Sequence, residues 1–87
     1  MSPEPVPLLP PSAMPARVVL AENIIRLRAE KEWSQETLGF EAGLHRTFIA
    51  HVERGVRNIS IDNLEKIARA FGIATYQLLE PHAGQLT

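Results

Sequence analysis

The stretch SQETLGFEAGLHRTFIAHVERG, residues 34–55, decides how this chain folds. Ser34 offers an N-cap, and Glu36 stands where the positive end of a helix dipole favours an acid. The helix it opens, Gln35 to Ala42, is short and stops at Gly43, a residue free to take the positive φ of a tight corner. A second helix follows from about His45 to Arg54, inward at Ile49 and Val52, and ends at Gly55. An eight-residue helix is marginal alone, so each needs a neighbour crossed over it. The spacing therefore predicts two short helices turned sharply across Ala42-Gly43-Leu44, a helix-turn-helix.

Outward from that unit the pattern stays helical. Upstream, Leu20, Ile24 and Leu27 recur at helical spacing and predict an amphipathic helix from Arg17 to about Glu32. Downstream, the loop Val56–Ile59 leads to a second N-cap, Ser60, with Asp62 in the first turn. Leu64, Ile67, Ala68 and Phe71 form the apolar stripe of a fourth helix closed by Gly72. A last short helix, Thr75 to Glu80, carries Leu78 and Leu79 and meets Pro81. The fold class is all-α with five helices, its core drawn from Leu20, Ile24, Leu38, Ile49, Val52, Leu64 and Ile67, with Trp33 packed across the first helix.

The chain has 87 residues, room for one small domain. A hydrophobic fraction of 45% with 22% charged residues describes a globular protein. No cysteine is present, which excludes a disulfide scaffold, a cysteine-ligated zinc finger and a thiol nucleophile. His45 and His51, six residues apart, fall on separate helix faces and have no third donor, so neither a metal nor a cofactor is expected. No apolar run approaches the roughly 20 residues needed to cross a bilayer. Nor do nucleophile–base pairs or glycine-rich phosphate loops appear, so the chain is not expected to be an enzyme.

Six of the seven prolines fall within residues 1–15. Proline removes a backbone donor and fixes φ, so residues 1–16 are expected to form a disordered leader, residues 17–81 the domain and residues 82–87 a flexible tail. Pro7 to Pro10 give P-x-x-P, which also suits a docking peptide for an aromatic groove. The leader lacks the basic start and unbroken apolar core of a signal peptide, and a cytoplasmic location is expected. Lys plus Arg number 9 against 10 Asp plus Glu, a net charge of -1. That average hides segregation along the chain. Acids gather at Glu30, Glu32, Glu36 and Glu41, whereas residues 45–57 hold three arginines, two histidines and one acid, Glu53. One face can therefore be positive on a nearly neutral protein.

Leu27–Glu80, with S-Q-E-x-L at 34–38, A-G-L at 42–44, R-T-F-I at 46–49, V-E-R-G at 52–55 and the trailing R-N-I-S, resembles the Cro and phage-repressor (XRE-like) helix-turn-helix regulators. Residues 44–72 are most similar to the controller proteins of restriction-modification systems. The resemblance implies a lambda-repressor-like domain of five helices, a homodimer on double-stranded DNA with a partly palindromic operator, and contact with RNA polymerase. Gly39 departs from the alanine usual in this class and weakens its helix by up to about 1 kcal/mol. His45 and His51 stand where the family varies.

Individual positions then take roles. Gln35, at the start of its helix, offers its amide and nearby free N–H groups to a phosphate. Arg46, Thr47, Ala50 and His51 share the outward face of the recognition helix. The planar fork of Arg46 matches guanine O6 and N7, and Thr47 offers a hydroxyl and a thymine-facing methyl. His51 and His45 are each either contacts or bystanders. Following the class, Arg54, Arg57 and Asn58 lie where the loop grips the DNA backbone, Asn58 alternatively capping the turn before the fourth helix. The resemblance also implies that Glu53 is turned inward and paired with Arg28. Phe71, Ile73, Tyr76 and Leu79 either complete the core or form an apolar two-fold interface. A DNA-binding antitoxin is the alternative function.

Overall fold

The computed structural model describes residues 14–82; residues 1–13 of the leader expected over 1–16, and residues 83–87 of the tail expected over 82–87, lie outside them. Four α-helices follow one another: α1 (Ala16–Lys31), α2 (Gln35–Ala42), α3 (Arg46–Glu53) and α4 (Ile61–Phe71). A five-residue 3-10 helix, Thr75–Leu79, closes the chain where a fifth α-helix was expected. Pro81 stops the helix that starts at Thr75 after six residues, fewer than two α-turns, and so short a piece tightens readily into 3-10 geometry. Among the described residues there is no strand, and no helix is long and apolar enough to cross a membrane.

The punctuation is local chemistry. Ser34 Oγ accepts the Thr37 N–H at 2.9 Å, and Ser60 Oγ accepts the Asn63 N–H at 3.1 Å. Each serine thereby satisfies one of the donors that a helix start leaves free. Gly43 and Gly72 end α2 and α4 in the left-handed region, at φ 72° and 73°. α1 ends differently. Glu32 takes φ 57° with a side chain attached, and the N–H of Trp33 reaches back to the Arg28 carbonyl at 2.9 Å. No glycine signals that corner, so the sequence places the end of α1 only approximately.

All seven expected core residues are buried, joined by Ala42, Ala68, Phe71 and Leu78. α2 and α3 pack on each other, α1 lies against α3, and α4 closes over α2. The 3-10 helix sits between α1 and α4. Asn23 holds it there: wholly buried in α1, it donates to the carbonyls of Leu78 at 2.8 Å and Glu80 at 2.9 Å. These bonds satisfy a polar side chain that would otherwise cost about 1–3 kcal/mol to bury. Phe71 is a correction. It is 5% exposed and stacks on Trp33 with ring centroids 5.7 Å apart. A side chain enclosed in the monomer core is not available to an interface.

Candidate nucleic-acid interface

α3 reaches the surface along one edge. Ile49 and Val52 point into the core, whereas Arg46 and Thr47 are exposed and Ala50 and His51 half-buried on the opposite side. Arg54 caps the C-terminus of α3 and is exposed. His45 has a structural task of its own. It is the N-cap of α3, its Nδ1 accepting the Thr47 N–H at 3.0 Å. Only a neutral ring has that lone pair to offer, and the residue stays exposed.

Glu53 is turned inward, its side chain only 6% exposed. Arg28 grips it through two parallel bonds, Nε to Oε2 at 2.5 Å and Nη2 to Oε1 at 2.9 Å. Its remaining arm donates to the Trp33 carbonyl at 2.8 Å. This planar fork-on-carboxylate geometry is the strong form of an ion pair. The Glu53 hydrogen bond raises the Arg28 guanidinium above its ordinary pKa, against the opposing effect of burial. The clamp ties α1 to the end of α3 and takes the one acid of residues 45–60 off the surface.

Gln35 joins the same cluster. Its Nε2 donates to Glu53 Oε1 at 2.9 Å, so its amide is held against the clamp instead of standing free at the mouth of α2. Arg46 has a neighbour that the sequence did not indicate: Glu36 on α2 accepts from its Nη1 at 3.1 Å. Both partners are more than half exposed, so the pair orients the guanidinium more than it stabilises the fold. Arg57 lies over the Phe48 ring at 5.4 Å, which fastens the loop to α3. Asn58 does not cap the turn before α4, a task Ser60 performs; its Oδ1 accepts from Arg17 on α1.

Gly39 has a role beyond weakening its helix. A Cβ there would lie 2.6 Å from the Leu44 carbonyl oxygen and 3.3 Å from the Arg46 nitrogen. The missing side chain lets α2 and the start of α3 approach, which sets the angle at which Arg46 leaves the surface. Gly39→Val is expected to cost about 1–3 kcal/mol by overpacking against backbone that cannot swing away. A urea titration checks this, and a midpoint equal to the parent's would show that the two helices separate freely.

Two short helices crossed at a glycine corner, the second with a polar outer edge and the first braced beneath it, define a helix-turn-helix protein. The chain belongs to the HTH_3 helix-turn-helix family, whose model matches residues 24–78, a family of DNA-binding transcription regulators. It is similar to a hypothetical transcription factor, NHTF, from Neisseria, whose crystal structure matches with a TM-score of 0.78 at 46% identity, covering 90% of this chain and 88% of that one. The control protein C.BamHI of Bacillus amyloliquefaciens is 45% identical over 65 residues, 74% of this chain and 80% of its own length. The restriction-modification controller protein C.AhdI from Aeromonas hydrophila superimposes with a TM-score of 0.68 at 42% identity, covering 71% of this chain and 94% of that one.

Proposed function

We propose that this chain is a sequence-specific regulator of transcription, of the restriction-modification controller type, that binds a near-palindromic operator as a homodimer. The observation that carries the reading is the burial of Glu53. With that acid clamped inside, the outer edge of α3 and its loop presents Arg46, Thr47, Ala50, His51, Arg54 and Arg57 with no exposed acid of their own segment. Arg46 and Thr47 stand at the N-terminal end of α3, the end that enters a major groove in this motif. His45 and Asn58 flank them at the groove edge, where polar donors meet phosphates. Gln35, its amide donating to Glu53, offers a phosphate only the backbone N–H groups at the start of α2. The 3-10 helix supplies the two-fold contact through Tyr76 and Leu79, 68% and 41% exposed, together with the half-buried Ile73. The relatives named as control proteins support the regulatory role.

Selection of bound fragments from random duplexes, followed by footprinting, tests the reading. A protected near-palindrome supports it, and failure to enrich any sequence refutes it. Two variants then separate positioning from reading. Arg46→Ala is expected to cost about 1–3 kcal/mol per half-site and to relax the preference for guanine at one symmetric position. Arg57→Ala should weaken binding to all duplexes alike and flatten the salt dependence, as removing a phosphate ligand does. If Arg57→Ala relaxed one base preference and left unrelated DNA unaffected, its phosphate role would be wrong.

A further inference from the structure

A run of interactions leads from the recognition helix to a residue outside the helix-turn-helix. Phe48 on α3 carries the Arg57 guanidinium, Arg57 adjoins Asn58, and Asn58 Oδ1 receives a hydrogen bond from Arg17 Nη2. Arg17 lies in the first turn of α1, forty-one residues away in sequence and ahead of the matched segment 24–78. Arg17, Arg57 and Asn58 are all exposed. The bond to Asn58 holds the Arg17 guanidinium at the loop between α3 and α4, beside the residue that follows Arg57.

We infer that Arg17 and Asn58 together form a phosphate clip, a second grip on the DNA backbone at the outer edge of the site. This inference rests on the proposed DNA-binding function and extends its footprint. A guanidinium has five N–H donors, and Asn58 uses one. The remaining donors, together with the Asn58 amide N–H2, present several hydrogen bonds from one exposed place to a single anion. The carbonyl half of Asn58 orients the arginine, and its amino half is free to donate alongside it. The neutral amide that holds Arg17 brings no negative charge beside it, whereas Arg46 has the carboxylate of Glu36 as its neighbour. Phosphates gripped beyond the groove-reading helix set the register of a protein on the duplex without reading bases.

The test uses the full chain, the operator found by selection and an unrelated duplex of equal length. Affinities are measured over a salt series, with a thermal melt of each variant. Arg17→Ala is expected to weaken both duplexes by the same factor and to reduce the slope of log affinity against log salt by about 0.9 for each phosphate it no longer neutralises. Arg17→Lys should restore most of that slope, since the charge remains. Ethylation interference should show one phosphate per half-site whose modification hinders the parent and is indifferent to Arg17→Ala. If Arg17→Ala lowers the melting temperature while affinity and slope are unchanged, the Arg17–Asn58 bond is only a tie between α1 and the loop, and the clip is refuted. A loss confined to the operator would refute it too, because a grip on the backbone cannot tell the duplexes apart. A parent that binds neither duplex at low salt overturns the function itself and the clip with it; a parent that binds while Arg17→Ala behaves identically overturns the clip alone.

Discussion

Arg28→Ala is expected to lower the melting temperature by more than about 12 °C, since stranding one partner of a buried pair costs about 3–5 kcal/mol and a domain of this size loses about 4–8 °C per kcal/mol. The reason lies in Glu53, whose side chain is 6% exposed and which receives both of its arginine bonds from Arg28. Without Arg28 that carboxylate keeps only the Gln35 amide as a partner. The Trp33 carbonyl loses its donor in the same variant. Replacing both members of the pair, as in Arg28→Met with Glu53→Met, should cost less than the single change, because no charge is then left buried. Circular dichroism melts of the two variants check both statements. A single variant that melts with the parent would place Arg28 and Glu53 in solvent and remove the brace beneath α3.

How much of the molecule is legible in the sequence follows from the range of each interaction. Ser34, Ser60, Gly43 and Gly72 act on groups within a few residues, so their roles can be read in one dimension, and the structure places helix ends at all four. The core stripe is equally plain, because periodicity at 3.6 residues is a local property. Phe71 tests that logic. It belongs to the stripe of α4, yet counting interior places leaves it between core and interface, and only its stack on Trp33 decides the matter. Arg28–Glu53 spans twenty-five residues and is reached through family resemblance, not spacing. Glu36 beside Arg46, Asn58 beside Arg17 and Asn23 beneath the 3-10 helix link separate elements, and no residue pattern announces them. Glu32 in the left-handed region carries no glycine signal at all. His45 does carry a signal: an acceptor just before a helix is what an N-cap needs, but histidine is seldom read in that role.

Leu79→Glu is expected to split the dimer and reduce affinity for the operator by about 10²–10⁴-fold, the factor that two linked half-sites contribute over one. A single module touches too few base pairs to be rare in a genome, so specificity in the proposed function depends on two copies. Paired by a two-fold axis, their α3 helices enter successive major grooves, with half-site centres roughly 34 Å apart. The 3-10 helix suits that axis because its two leucines divide the work. Leu78 is fully buried and secures the turn to the core, whereas Leu79 beside it is 41% exposed, next in the chain to the Asn23 anchor. A charge at Leu79 therefore meets solvent in the monomer and an apolar partner in the dimer. The variant should stay folded, with a melting temperature close to that of the dissociated parent, while Leu78→Glu unfolds the protein. Sedimentation with and without operator, beside a footprint of the parent, decides it. A parent that binds as a monomer and protects one asymmetric half-site would leave Tyr76 and Leu79 without a role in DNA binding.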